Sequence, residues 1–370
     1  MTSETAARSR PSAAGRLPGG LATVARAEVA REAWDGLATA SDDAWLWHVY
    51  DIQEALATWH GATDRSFALV DGDGRPLAIV PLVARSGRRL RGAIKVVDVL
   101  STGGPAVDPE ASGRVREKVL EAAVRHAVEL GRTLGAGSLE AILSPLAPAL
   151  RAEHLPRVNP LVQLGFENTL TQTWMVDLRD GPGAVWDGMR TRARTEIRKA
   201  EREGVEVRAA APGDLDSYYR LHVETYERTG ARPHPRGYFE RIFSDFVPTG
   251  RALILLAELH GEVVAARNFG LCKQAGWYWT GAASKRGLEV GAGSLLHWEG
   301  MKRMVEQGCE WSETGEAFPN AADPKSRGLT LHKESFGGEL YPLYRGKISL
   351  HRRSAEIADA LSRLRAALRR

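Results

Sequence analysis

Among the side chains able to do acid–base or electrostatic chemistry, Lys333 has an unusual setting: GLTLHKESFGGELYPLYRG, Gly328 to Gly346. A helix-like run reaches His332 and Lys333, crosses Phe336, stops at Gly337-Gly338 and resumes as a strand-like Tyr341-Pro342-Leu343-Tyr344. Most lysines are solvated surface charges. The other reading is an ammonium aimed at chemistry, staying charged and polarising a carbonyl. Upstream, CEWSETGEAF ends a strand-like run with Glu313 and Glu316. A carboxylate there either orients an amine or is simply solvated. A third feature is RTRARTEIRKAEREG, in which Arg190, Arg194, Arg198 and Arg202 recur at i+4. On a helix they drift roughly 40° per step into one inclined basic stripe. Met189, Ala193, Ile197 and Ala200 form the apolar stripe beside it. A phosphate backbone is a natural ligand for such a row; ion pairs with Glu196, Glu201 and Glu203 on a solvated face are the alternative.

Two further groups draw notice. Arg228 ends a helical run carrying Tyr218, Tyr219, His222 and Tyr226, and the Gly/Pro-rich turn after it holds His234 between two prolines. An arginine at that end complements the helix dipole. His234 is either merely exposed or able to take a proton from an attacking ammonium. In GWYWTGA, alternation sends Trp277 and Trp279 to one face of a strand and Tyr278 to the other; core packing is the ordinary explanation of such a run.

The elements that must position these groups read as follows. A helical stretch spans roughly 24–60, and SFALVDGDGRPLAIVPLVAR turns as a β-hairpin at Asp71 to Gly74. IKVVDVL is a strand, STGGPAV a loop, SGRVREKVLEAAVRHAVELG a helix and SLEAIL a strand. The two prolines of HLPRVNPLVQLGF suit a boundary near residue 165. Next come strand TWMVDL, one helix AVWDGMRTRARTEIRKAERE and strand VEVRAA. Two helices and a hairpin turning at His260-Gly261 follow, then strand WYWTGAAS, helix SLLHWEGMKRMVEQG, strand CEWSETG, the short Lys333 helix and a strand. The chain divides into a disordered tail (1–20), an N-terminal domain (21–165), a C-terminal domain (166–346) and a closing amphipathic helix (347–370) with Ile357, Leu361, Leu364 and Leu368 on one face. Mixed sheets with packed helices, an α+β class, are the expected product.

Lys plus Arg exceed Asp plus Glu by only four, so charge alone marks no nucleic-acid binder; placement matters more. Cys272 and Cys309 make neither a disulfide framework nor a metal set and read as buried free thiols. No His/Cys/Asp cluster has ligand spacing, and no metal is implied. Without a long apolar run or a secretory h-region, a cytoplasmic protein is expected.

The element order of the second unit resembles the GNAT acyltransferase fold, which grips coenzyme A through Arg/Gln-x-x-Gly-x-Gly/Ala before a helix. Here LEVGAGSLLHW offers Gly291 and Gly293 for a phosphate, with Ser294 able to cap the helix, but Leu288 stands where the charge belongs. The succession RTRARTEIRKAEREGVEV, TYERTGARPHPRGYF, GWYWTGA, Leu295 to Glu299 and LHKESFGGEL resembles more specifically the Fem-type aminoacyltransferases, paired GNAT-like domains. Ser101-Thr102-Gly103-Gly104-Pro105 resembles that family's Gly-Gly-Pro loop.

The resemblance implies two tandem GNAT-like domains, the compact form without an inserted helical arm. It implies aminoacyl transfer from charged tRNA, as co-substrate and partner, to an amine-bearing acceptor, with no bound cofactor. The acceptor is a peptidoglycan precursor or a small peptide or natural product. Lys333, with Glu313 and Tyr278, then serves catalysis. Arg228, His234, Thr280, His332 and Phe336 meet the substrates, and the Arg190–Arg202 row with Gly291 and Gly293 meets phosphate. His332 stands where the family usually has Phe. The alternative is coenzyme A-dependent N-acylation, which thioester consumption without tRNA would reveal.

Overall fold

The computed structural model describes residues 20–89, 94–151, 154–318, 321 and 324–350. The N-terminal part of the chain supplies β1 (Ala22–Ala25), α1 (Arg31–Ala40), α2 (Tyr50–Ala57), β2 (Ala62–Asp64), β3 (Phe67–Val70), β4 (Pro76–Val80), β5 (Val83–Arg89), β6 (Ile94–Thr102), β7 (Ala106–Val107), α3 (Gly113–Thr133), β8 (Ser138–Ile142), α4 (Pro160–Gln163) and β9 (Glu167–Asn168). The first helical stretch is therefore shorter and broken. Its start is strand β1, paired with β3, and residues between α1 and α2 run as loop and 3-10 turn. The hairpin at Asp71 is present: Gly74 sits at φ +83, and Asp71 Oδ1 accepts the N–H groups of Asp73 and Arg75 at 3.0 and 2.9 Å. Its second arm ends at Val80, and the following VARSGRR is a separate strand, β5, in another sheet.

The second part supplies β10 (Thr171–Asp177), α5 (Gly181–Gly188), α6 (Thr191–Arg202), β11 (Glu206–Ala209), α7 (Leu215–Thr229), α8 (Arg236–Arg241), β12 (Ala252–Leu259), β13 (Glu262–Cys272), β14 (Ala275–Ala283), α9 (Lys285–Glu289), α10 (Ala292–Glu306), β15 (Trp311–Ala317), α11 (Pro324–Glu334), β16 (Glu339–Leu343) and β17 (Arg345–Ser349). The expected helix across 184–203 is two helices. Met189 and Arg190 between them have extended backbone, ψ 144° and 150°, because Met189 is buried in the core and Arg190 N–H donates to the Ser335 carbonyl at 3.0 Å. The β12–β13 turn has φ +52 at His260 and +81 at Gly261, the left-handed pair that suits a two-residue hairpin.

Among the described residues the strands form three sheets, in the orders β1-β3-β4-β7, β2-β5-β6-β8-β17-β9 and β11-β12-β13-β14-β15-β10-β16. Two strands lie out of sequence. β10 sits between β15 and β16, antiparallel to both. β17, the last described strand, returns to the N-terminal sheet between β8 and β9. Residues 347–349 therefore belong to a strand, not to the closing helix; the rest of that helix, 351–370, and the tail, 1–19, lie outside the described residues.

The C-terminal sheet is covered on both faces. One face packs α7, α8 and the π turn 242–246 together with Trp45, Leu46 and Ile52 of the N-terminal part. The other packs α5, α6 and α10, burying Met189, Ala193, Ile197 and Ala200 as the apolar stripe requires. Cys309 is buried and Cys272 half-buried, both as free thiols. Among the described residues no helix is long and apolar enough to cross a membrane, and no group of His, Cys, Asp or Glu is placed to hold a metal ion.

Candidate active site

β14 and β15 run parallel but pair only through Ala275↔Trp311, Gly276↔Ser312 and Trp277↔Glu313, after which they part. Each strand is irregular at the fork. The β13–β14 register shifts between Asn268 and Phe269, leaving Trp279 as the extra residue; the β10–β15 register shifts between Trp174 and Met175, leaving Thr314. Bulges re-aim the side chains that follow them. Tyr278 accordingly joins the α10 face, whereas Thr280 is turned to the other face, where its hydroxyl meets Tyr218 Oη at 2.6 Å. Strict alternation would have put Tyr278 and Thr280 on the same side.

Glu313 stands at the fork. It is buried, and Oε1 accepts from Thr173 Oγ1 at 2.7 Å. Burial pushes its carboxyl up to about 7, against the opposing pull of Thr173 and the Lys333 charge. Lys333, in the last turn of α11, is half-buried, and Nζ donates to the Glu316 carbonyl at 2.6 Å. Gly315 makes the room. It has φ +107, and a Cβ built there would lie 3.1 Å from Nζ. Burial lowers the Lys333 pKa, with Glu313 and Glu316 pulling the other way. The ammonium thus lies against β15 beside the fork rather than in bulk water. Glu316 itself is held by Arg345 Nη1 at 2.9 Å.

His332 turns away from that ammonium. The buried Arg267 on β13 bonds to His297 Nδ1 at 2.6 Å through Nη1 and to His332 Nε2 at 3.2 Å through Nη2, and its guanidinium lies 4.5 Å from the Tyr278 ring centroid. Burial, then Arg267, takes His332 down to about 4 and His297 well below its ordinary value. Two neutral imidazoles therefore accept from one buried cation, joining β13, α10 and α11 behind Lys333. Phe336 closes this cluster, 4.1 Å from the His297 ring. Sequence reading missed Arg267 and His297; a lone charge inside an apolar strand, EVVAARNFGLC, was the available signal.

The Arg row is not one helical stripe. Arg190 is the N-cap of α6 and bonds to Glu334 at 3.1 Å, next to Lys333 in the chain, while Arg194, Arg198 and Arg202 ride on α6 itself. Arg198 lies 5.3 Å from the Trp186 ring. Gly291 is the left-handed N-cap of α10, and Gly293 follows; Ser294 lies inside the helix and does not cap it.

Arg228 caps the end of β14, Nη2 donating to the Ala283 carbonyl at 2.9 Å, with Glu224 at 3.4 Å. His234 is not on a free loop. Its ring stacks 4.4 Å from Trp59 of the N-terminal part, and its N–H donates to His222 Nε2 at 3.0 Å. Burial lowers His234 to about 4 and His222 to about 3. His222 Nδ1, His234 Nδ1 and Trp59 Nε1 are buried there without a hydrogen-bond partner, and the Arg85 guanidinium lies 5.1 Å from the Trp59 ring. Asn268, fully buried on the fork's other face, has no partner for either amide atom. Unsatisfied buried polar groups of this kind are where a bound molecule or water completes a site.

Residues 188–317 match the family model described as acetyltransferase (GNAT) domain. No curated protein matches the sequence. Among solved structures the chain is similar to FemX, with TM-score 0.62 and 15% identity over 86% of this chain and 95% of that one. It is similar to the C-terminal domain of a lysylphosphatidylglycerol synthetase from Agrobacterium fabrum, with TM-score 0.55 and 14% identity over 88% and 93%. It is also similar to L-PGS from Bacillus licheniformis, with TM-score 0.52 and 16% identity over 86% and 92%. The protein therefore carries an acyltransferase domain of the GNAT type at residues 188–317, in a chain whose overall fold is like that of FemX.

Proposed function

We propose that the fork between β14 and β15 joins an amino acid, carried as its ester on tRNA, to the amine of an acceptor. The observation that carries this reading is the placement of Lys333 Nζ against Gly315 and Glu316, beside the buried Glu313. The acceptor nitrogen attacks the ester carbonyl and the new C–N bond forms as the C–O bond to the RNA ribose breaks. Negative charge builds on the carbonyl oxygen, and the Lys333 ammonium opposes it without changing its own protonation. The proton lost by the nitrogen goes to Glu313, whose pKa of about 7 suits both accepting it and returning it to the leaving ribose oxygen. Arg228 and the Trp59–His222–His234 seam lie on the acceptor side of this scheme, and the α6 arginines meet the RNA phosphates. The acceptor is a peptidoglycan precursor or a small peptide or natural product, reached in the cytoplasm.

The test is incubation with a set of radiolabelled aminoacyl-tRNAs and candidate amines, with and without ribonuclease. Ribonuclease-sensitive amide formation that is lost in Lys333→Ala is expected; label transfer untouched by that substitution would sink the assignment. The family model supports a second reading, coenzyme A-dependent N-acylation. Consumption of acetyl- or long-chain acyl-coenzyme A in the absence of tRNA would establish it instead.

A further inference from the structure

α6 lies across the turn that leads into α10, and contacts along two helical turns hold it there. The Ser294 hydroxyl, in the first turn of α10, donates to Glu196 Oε2 at 2.6 Å. Lys199 Nζ donates to the Glu289 carbonyl at 2.6 Å. Glu203 pairs with Arg286 at 3.2 Å. Between these, a Cβ built on Gly291 would come within 2.8 Å of the Glu196 carbonyl oxygen, so the two backbones are in contact and only glycine fits, at φ +79.

Glu196 is thus the anion at the start of α10. That position favours negative charge, since backbone N–H groups and the helix dipole point there. Burial by itself would raise the Glu196 carboxyl, but bonds from Ser294 and Arg192 outweigh it and hold the pKa below its ordinary value. The side chain is a carboxylate throughout the neutral range. Leu288, at the head of the same turn, is exposed and offers an incoming phosphate nothing.

We propose that α6 straps the Gly291–Ser294 turn shut, with Glu196 as a built-in anion that excludes the diphosphate of a coenzyme A-type donor. A diphosphate approaching α10 meets a carboxylate already hydrogen-bonded to Ser294 and paired with Arg192 at 3.1 Å, with the backbone of α6 behind it; an anion position filled from within selects against a second anion. Donor phosphates are left with the outer face of α6, where Arg194, Arg198 and Arg202 stand. The functional meaning rests on the acyl-transfer reading of the fork, but the test below reads binding alone.

Coenzyme A is titrated calorimetrically into the full chain and two variants. Wild type gives no saturable binding up to about 1 mM. Glu196→Ala combined with Lys199→Ala and Glu203→Ala, folded by circular dichroism, binds at least about tenfold more tightly than that limit. Glu196→Gln, which can keep the Ser294 contact but loses the charge, shows a smaller gain and decides the matter if the triple variant does not fold. Saturable binding by wild type overturns the proposal, and so does the absence of any gain in both variants or in Glu196→Gln alone when only it folds. Failure of every charged tRNA as donor would sink the proposed function and leave this result standing.

Discussion

Among the described residues two sheets each hold one parallel pair of strands, β6–β8 and β14–β15, and only the second pair parts into a fork. In the N-terminal sheet the parallel pair β6–β8 holds together through Val99↔Leu139, Leu100↔Glu140, Ser101↔Ala141 and Thr102↔Ile142. The crevice beside it, lined by Val80, Ala123, Leu139 and Phe166 among others, measures about 20 Å³, room for roughly one water. The glycine loop that follows is filled from within: a Cβ on Gly103 would lie 2.4 Å from His48 Cε1. His48 is fully buried, held at about 4 by burial, bonded to the Gly104 carbonyl at 2.9 Å and accepting the Trp45 N–H at 3.2 Å. In the C-terminal sheet a glycine on the second strand of the parallel pair, Gly315, receives an ammonium instead, and a carboxyl near 7 sits at the branch. The loop after β6 is filled by a neutral, satisfied side chain; the fork at β14–β15 keeps a poorly solvated ammonium and a poorly solvated carboxyl. Charges held out of water serve chemistry more than stability.

The sharpest way to break this contrast is to exchange the roles of the two groups. Lys333→Met should lower kcat by about 10²–10³-fold with little change in melting temperature, the effect of losing an oxyanion partner. His48→Ala should do the reverse, costing roughly 2–4 kcal/mol of stability while the folded fraction keeps its turnover. Urea unfolding and single-turnover transfer, run on both variants, separate the two. Next in size are the glycines. Gly315→Ala must both strain a φ of +107 and displace Nζ, so kcat should fall at least about tenfold in the same assay. Gly103→Ala collides with His48 and should appear in the unfolding midpoint, not in kcat.

A smaller effect is expected from pH. With Glu313 ionising near 7, kcat should rise through that pH and level off above it, and Glu313→Gln should flatten the acid limb at a lower rate. The sign for stability is opposite. A folded pKa above the unfolded one means the folded state holds the extra proton. The Glu313 contribution is therefore complete below the unfolded value near 4.5 and is lost as pH rises through about 7. From pH 5 to pH 8 the urea midpoint of wild type should drop by more than that of Glu313→Gln. A kcat profile unchanged by the substitution would remove Glu313 from the chemistry. The smallest change is on α6: Arg198→Ala should reduce the salt dependence of tRNA binding by about one unit of slope and leave kcat intact.

Much of this arrangement could be read locally. The hairpin at Asp71, the turn at His260-Gly261 and the run of apolar residues at helical spacing on α6 follow from φ preferences and periodicity, and the structure has all three. Lys333 could be singled out because a short helix ends there on a Gly-Gly stop. Less legible was what lies between elements. Arg190 looks helical by spacing, yet its N–H is taken by Ser335, far along the chain. His234 looks like a loop residue until Trp59 closes over it. Thr280 changes face because a bulge, which no residue-type pattern announces, inserts Trp279.

By itself the sequence determined the order and kind of most elements, because helix and strand periods, turn glycines and caps act within a few residues. It also carried the succession of motifs that resembles Fem-type enzymes. Only the tertiary structure decided that β10 and β17 are set into sheets between strands distant in the chain, and that α6 covers the turn before α10. It alone decided that Glu313, Lys333 and the Arg267 cluster share one fork. Those outcomes depend on desolvation, strand register and contacts over more than a hundred residues, and such energies exist only once the chain has closed on itself.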